Sequence, residues 1–302
     1  MHDPEIHENP YRLLIRFLCF AVLAVPGFCL APFIRQQVDP GLKLAPDVHT
    51  VLLGDSHVSL SLDDGEMPGI RNMAEPGEGY IFTLAKLERL ANQNPELREV
   101  IVGLSYHNIC ATYDEYVTEP RSIQRYANLM SLPDACRLVQ RELNPVFIAR
   151  LGHVLASTPL GEQPYSGGYC NPYPEKNAVS PEGVQKRIHQ SFYMVDAVSG
   201  LSAFNLHYLK QIQTFCTERQ LTCSFLMTPL HPLYREQIPA SIVTSYSQIL
   251  KEHDLQMMDF SSLMAEDHYF LEDGDHLSFE GTQEFTKSFY VRWQEQQRRT
   301  NP

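Results

Sequence analysis

The sequence predicts an α/β domain, a doubly wound parallel sheet of about five strands, on three observations. Short β-rich runs alternate with stretches of helical periodicity. Most of these runs empty into polar or Gly/Pro-rich segments. The chain, at 302 residues, is long enough to bury one sizeable core and carries no internal repeat or low-complexity tract.

The first strand is Val51-Leu52-Leu53, which ends at Gly54-Asp55-Ser56-His57. Ile70 to Met73 gives a second, stopped by Glu75-Pro76-Gly77-Glu78-Gly79. From Tyr80 to Ala91, Ile81, Leu84, Leu87 and Leu90 recur at helical spacing, with Lys86, Glu88 and Arg89 assigned to the wet side. Asn94-Pro95 closes that helix, and Glu99 to Leu104 is the third strand. Residues 109–197 break the alternation, being rich in Tyr, Pro, Gly and Asn around Tyr165 to Pro172, and read as an insertion or cap over the site. Regularity resumes with Leu201, Phe204, Tyr208, Ile212 and Phe215 on one helix face. A strand from Leu221 to Met227 comes next, ending at Thr228-Pro229. Leu233 to His253 forms a helix that Pro239 must kink or interrupt. Leu255 to Phe260 is the last strand, and Phe279 to Gln296 the closing helix. Such an order points to a flavodoxin-like sheet, in which ligands meet the carboxyl ends of the strands.

The N-terminus differs in character. Phe17 to Ile34 carries no charged residue and nearly suffices to cross a bilayer if Arg16 and Arg35 snorkel at its ends. Arg12 and Arg16 precede it, so the positive-inside bias favours a cytoplasmic N-terminus and a domain outside the inner membrane. The expected division is a cytoplasmic tail at 1–16, a transmembrane anchor at 17–34, a linker at 35–50 and a catalytic domain at 51–298. A cleaved signal peptide and a buried soluble helix are the competing readings of the apolar run. Pro26 and Pro32 are tolerable in a membrane helix. Cys29, preceded by Phe28, does not fit a lipoprotein cleavage box.

A formal net charge of −12, from 36 acidic against 24 basic residues, repels phosphate backbones and argues against nucleic-acid partners. The seven cysteines show neither CxxC nor Cys/His ligand spacing, so no structural zinc is expected. Cys216 and Cys223 flank a helix-to-strand turn and read either as a disulfide or as two buried thiols. The acidic cluster Asp63-Asp64-Glu66 reads as a solvated loop rather than a metal site, and no cofactor is expected.

Two polar segments carry the chemistry. A serine hydroxyl is a weak nucleophile at neutral pH and needs an imidazole to take its proton and a third group to fix the imidazole's tautomer. Ser56 leaves the first strand where a helix N-terminus just after it would favour developing negative charge. Asp273-Gly274-Asp275-His276 places a carboxylate three residues before a histidine, so that both can project from one tight loop. His276 is then the general base and Asp273 its orienter, while Asp275 reads as a surface carboxylate. The bland alternative is a pair of unrelated turns, with Ser278 capping the closing helix.

The run GDSH at 54–57, together with DGDHLS at 273–278, resembles the first and last motif blocks of the SGNH/GDSL hydrolase superfamily. The resemblance implies a flavodoxin-like fold with an early serine and a late Asp-x-x-His. Asn72 to Gly77 resembles the superfamily's Asn-x-Gly-x-x-Gly with Ala74 for the first glycine, which implies backbone oxyanion donors at Ser56 and Gly77. The third block departs from the pattern: Gly103 to Asn108 lacks Gly-x-Asn-Asp. Asn108, Ser105 or His107 is left as the side-chain oxyanion donor. Asp55, His57, His107 and His231 are candidate pocket residues, the last more readily a satisfied loop histidine and His107 open to the same two readings.

An anchored, exported domain of this kind resembles envelope proteins of polysaccharide O-acetylation and teichoic-acid D-alanylation systems. That implies acyl transfer or ester hydrolysis through a Ser56 acyl-enzyme. The partners implied are an acyl donor, a glycan or lipid-linked acceptor, and a multi-span membrane O-acyltransferase. A catalytically silent scaffold docking such an acyltransferase or a glycan is the alternative from another class.

Overall fold

The computed structural model describes residues 42–126, 129–142, 151, 169–171 and 178–300. The expected anchor at 17–34, its flanks and the Tyr165–Gly168 stretch lie outside the described residues. Among the described residues no helix is long and apolar enough to cross a membrane.

Among the described residues the strands are β1 (Thr50–Leu53), β2 (Ile70–Asn72), β3 (Glu99–Gly103), β4 (Tyr193–Met194), β5 (Ala197–Val198), β6 (Thr222–Met227) and β7 (Met257–Asp259). Five of them form one sheet in the order β2-β1-β3-β6-β7, with every neighbouring pair parallel. The first strand thus lies inside the sheet and the chain winds outward in both directions, the doubly wound arrangement that the alternation predicts. β4 and β5 make a separate antiparallel hairpin.

Among the described residues the α-helices are α1 (Ser56–Ser59), α2 (Tyr80–Gln93), α3 (Glu115–Thr118), α4 (Pro120–Tyr126), α5 (Leu132–Glu142), α6 (Pro181–Phe192), α7 (Ala203–Glu218), α8 (Pro232–Arg235), α9 (Ala240–Glu252) and α10 (Phe279–Thr300). The chain separates into two compact units, residues 1–40 with 123–164 and residues 41–122 with 165–302. In the smaller unit, α5 opens on a reciprocal cap in which Ser131 Oγ accepts from the Asp134 backbone and Asp134 Oδ2 accepts from Ser131 N. All the sheet strands belong to the larger unit.

Core and layers result from alternation along buried parallel strands. Leu52, Ile101, Leu226 and Met258 occupy adjacent strands and pack with Phe260, Phe285 and Phe289, so that α10 covers one face. The intervening Val51, Leu53, Val100 and Val102 are also buried. On α2, Ile81, Leu84, Leu87 and Leu90 are buried as their spacing requires.

Several elements differ from what the sequence predicts. Lys86 is fully buried, not on the wet side, because its ammonium pairs with Glu78 and donates to the Met73 carbonyl. The helix expected over 233–253 is two, α8 and α9, separated around Pro239. Leu201 precedes α7 and is exposed; the face that packs is Tyr208, Leu209, Ile212 and Cys216. The expected last strand over 255–260 shortens to β7. Cys216 and Cys223 are free thiols. The part of 109–197 that is described is largely helical, and its last helix, α6, belongs with the sheet-bearing unit.

Candidate active site

β1 ends on Gly54, whose φ of +128° is a backbone geometry that L side chains rarely adopt. A Cβ at Gly54 would come within 3.1 Å of Gly103 N, the last residue of neighbouring β3. The bare backbone lets the turn after β1 cross the end of β3 closely, delivering Ser56 to the carboxyl edge of the sheet. Asp55 caps the turn, its Oδ1 accepting from His57 N at 3.0 Å. The helix that begins at Ser56 is a single turn, Ser56–Ser59.

The late loop is built by its own first carboxylate. Asp273 Oδ1 accepts from the backbone N–H groups of Asp275 and His276, both at 3.0 Å, with Gly274 at φ +66° between them. Asp273 Oδ2 remains for the His276 ring and stands 2.7 Å from Nδ1. The opposite ring nitrogen, Nε2, lies 2.8 Å from Ser56 Oγ. One carboxylate thereby shapes the loop and places the proton on Nδ1, leaving Nε2 to accept from the hydroxyl. Burial alone would raise the Asp273 pKa, but the His276 ring outweighs it and the carboxyl is held below its usual value. Ser56 and His276 stand 220 residues apart in the chain, and both keep partial solvent access.

Beneath this chain of contacts lies a buried polar cluster. Asp55 Oδ2 accepts from Asn108 Nδ2 and the Tyr113 hydroxyl, each at 2.8 Å, and stands 2.7 Å from His107 Nε2. Burial opposes the charge on Asp55, yet His107, His57 and Asn108 together drive its pKa far below the usual carboxylate range. His107 is itself lowered by burial and by the neighbouring His57, against the pull of Asp55. His57 Nε2 lies 3.2 Å from Asp275 Oδ2, close enough for an ion pair although too poorly aligned for a hydrogen bond. Asp275, a surface carboxylate by sequence, is 2% exposed because Arg187 of α6 bonds it through Nε and His57 faces it.

The remaining sequence candidates fall into place around this cluster. Asn108, expected as an oxyanion donor, has its carboxamide oxygen bonded to Ser105 N at 2.7 Å and its amide turned to Asp55. It closes the turn after β3 instead of facing outward. Ser105 Oγ lies 3.4 Å from His57 Nδ1, with Thr228 Oγ1 at 3.3 Å, so the ends of β3 and β6 both meet this imidazole. His231 has both nitrogens engaged, Nδ1 by Leu233 N and Nε2 by Asp267. Gly77, at φ +73°, sits in the loop after β2 with the Tyr116 ring over the space a Cβ would take. That loop is tied to the serine turn by Glu75 N donating to Gly54 O at 2.9 Å. Arg187 and Tyr113 join the cluster with no local signal in the sequence.

Among the described residues, His57, His107 and Asp275 bring ligand-type atoms within 4.8 Å of one another. The chemistry there does not favour a cation. Asp275 already carries the Arg187 guanidinium and His107 already faces Asp55, so a divalent ion would have to expel a positive charge from a buried pocket. The acidic cluster after α1 is also engaged: Asp64 pairs with Arg71 and accepts from the backbone of Asn72 and Tyr169.

A family profile matches residues 186–297, less than half of the chain. No curated protein matches. Among solved structures, a lipase/acylhydrolase from Enterococcus faecalis aligns at 11% identity and a TM-score of 0.36, over 81% of this chain and 95% of that one. A protein described as a platelet activating factor from Streptococcus pneumonia aligns at 11% and 0.39, over 94% and 99%. An acylhydrolase-like protein from Bacteroides fragilis aligns at 9% and 0.35, over 86% and 93%. At these values the geometry of the site, not likeness to other proteins, carries the functional assignment.

Proposed function

We propose that the chain is a serine acyl-ester enzyme of the SGNH/GDSL type, with Ser56 as nucleophile, His276 as general base and Asp273 as the group that orients it. The observation that carries this reading is the continuous contact from Ser56 Oγ to His276 Nε2 at 2.8 Å and from His276 Nδ1 to Asp273 Oδ2 at 2.7 Å. Structural serines and histidines at a sheet edge have no need of that order or polarity, whereas acyl transfer requires both.

His276 Nε2 takes the Ser56 proton as Oγ bonds to the carbonyl carbon of an ester or thioester. The tetrahedral oxyanion that results is met by backbone donors at Ser56 and Gly77. As the intermediate collapses, the bond to the leaving alcohol or thiol breaks and His276 returns the proton to it. An incoming hydroxyl, from water or a sugar, then gives its proton to Nε2 as its oxygen bonds to the acyl carbon; the bond to Ser56 Oγ breaks and Nε2 returns that proton to Oγ. Hydrolysis or transfer results according to which hydroxyl reaches the acyl-enzyme.

The uncharged run Phe17–Ile34, preceded by Arg12 and Arg16, supports a chain tethered to the inner membrane with its catalytic domain outside, acting on O-acyl groups of a cell-envelope glycan beside a membrane O-acyltransferase. Fluorophosphonate labelling of the full chain tests the core of the proposal. Wild type should label on one serine and Ser56→Ala should not. Labelling that persists in Ser56→Ala, or a wild type inert where a known serine esterase reacts, refutes it. Release of acetate from a small ester with water alone, against transfer to an added oligosaccharide, separates esterase from transferase.

A further inference from the structure

Ser56 and His276 each have a chain neighbour that repeats their meeting one layer deeper. His57 comes directly after Ser56, Asp275 directly before His276, and these two face one another at 3.2 Å with both side chains almost wholly buried. The two segments are thus joined twice, once by the solvent-touched pair and once by the hidden one. Arg187 extends the hidden pair into α6, whose start is fastened to the same loop by Ser180 N and Oγ donating to Glu272, each at 3.0 Å. Gly183 lies so close that a Cβ would stand 2.6 Å from Glu272 O. Helix α6 is therefore the bed on which the Asp273–His276 loop rests.

The groups facing His57 are Asp275 and Asp55, the Arg187 guanidinium, the rings of His107 and His276 at centroid separations of 4.4 and 5.0 Å, and the hydroxyls of Ser105 and Thr228. Asp55 and Asp275 confront one guanidinium, with Asp273 close by, so a further positive charge in this layer offsets an excess of negative charge. His57 is placed to carry it: Nδ1 faces two hydroxyls that can accept, and Nε2 faces Asp275 Oδ2. Burial works against that charge, but Asp275 outweighs it and the His57 pKa is raised. A deeply buried histidine that is not the general base has no step in acyl transfer, which leaves positioning as its use.

We propose that Arg187, Asp275 and protonated His57 form a clamp that sets the Ser56-to-His276 distance, making all three positioning residues for acyl transfer at Ser56, the reading on which this inference rests. Loss of the clamp lets the serine turn and the base loop separate. A displacement of about 1 Å between reacting groups costs on the order of 10²-fold in rate.

The test is the second-order rate of fluorophosphonate labelling across pH 5–9 for wild type, His57→Gln, Asp275→Asn and Arg187→Lys, all as full chain. Turnover of a small acetyl ester and imidazole NMR of His57 accompany it. Expected are a fall of roughly 10²-fold in labelling and in kcat for His57→Gln and Asp275→Asn, with KM within about twofold. Arg187→Lys should recover much of the rate. In wild type an alkaline limb should coincide with deprotonation of His57, and it should be missing from His57→Gln. Should Asp275→Asn fold poorly, the NMR signature of a charged His57 in wild type and the Arg187→Lys rate remain decisive. Wild-type rates in His57→Gln, a change confined to KM, a His57 neutral at pH 6, or a stoichiometric metal bound by wild type and lost in His57→Gln would each overturn the clamp while leaving Ser56 as nucleophile. A wild type that never labels overturns the reading of Ser56 and the clamp's role with it.

Discussion

Two buried acids on neighbouring strands, Asp55 at the carboxyl end of β1 and Glu99 at the amino start of β3, are treated oppositely by their surroundings. Asp55 takes a backbone N–H, an amide, a phenol and the His107 ring, and is held far below the usual carboxylate range. Glu99 Oε2 takes only neutral donors, Trp293 Nε1 at 2.7 Å, Thr50 Oγ1 at 3.0 Å and Gln297 Nε2 at 3.0 Å, and burial, the largest influence on it, raises its pKa. Glu99 is thus shifted towards its neutral form among neutral donors, whereas at the carboxyl edge Asp55 and Asp275 are shifted towards the ionised form and meet imidazoles and a guanidinium. The edge where parallel sheets meet ligands stores charge; the opposite edge is closed by hydrogen bonds alone.

That contrast is broken most severely at Asp273. Asp273→Asn keeps the size of the group but removes the acceptor that holds the proton on His276 Nδ1, so labelling of Ser56 should fall by about 10⁴-fold while the chain stays folded. Rate measurement on the folded variant decides it. A loss below tenfold would make Asp273 a loop-former only, its Oδ1 contacts to Asp275 N and His276 N being the part that matters.

Asp55→Asn sharpens the comparison on the stability side. The substituted amide cannot accept the same set of donors, and the variant should lose about 3 kcal/mol at pH 7 by urea unfolding. The native carboxyl has its pKa depressed on folding, so its contribution is full above the unfolded value near 4 and is lost progressively as pH falls from there towards the far lower folded value. Wild type and variant should therefore converge towards pH 3. A constant gap from pH 7 to pH 3 would mean that packing, not charge, accounts for the loss.

The sequence and the structure agree where information is local. The strand-to-turn transition at Leu53-Gly54 and the tight loop from Asp273 to His276 are each encoded within a few residues. Ser56, His276 and Asp273 are grouped in the sequence by the order of those segments and their resemblance to two motif blocks, and their side chains lie in contact. Pro239 likewise announces the break between α8 and α9. Misreadings concentrate on charged and polar side chains whose partners lie far along the chain. The helical pattern assigns Lys86 to solvent, although Glu78 and a carbonyl bury it. Its loop setting assigns Asp275 to the surface, although Arg187, 88 residues away, neutralises it. Its place after β3 turns Asn108 towards the reaction, although Asp55 and Ser105 claim its carboxamide. A pattern of polar and apolar residues can show that a charge exists but not that a countercharge folds onto it.

The smallest expected effect is at the amino edge, and it carries the opposite sign. Because the folded pKa of Glu99 is raised, its contribution is full below the unfolded value near 4.5 and is lost as pH climbs through the higher folded one. Ionising it in a setting that holds only neutral donors works against the fold, so Glu99→Gln should be neutral to stabilising at pH 8 by no more than about 1 kcal/mol. The substituted amide keeps a carbonyl oxygen for Trp293 and Thr50 and cannot ionise. Thermal unfolding at pH 5 and pH 8 should show wild type weakening relative to the variant as pH rises, the reverse of the trend for Asp55→Asn. A Glu99→Gln chain destabilised more at pH 8 than at pH 5 would show that the acid at the amino edge works as a carboxylate after all, and the contrast in charge between the two edges of the sheet would be lost.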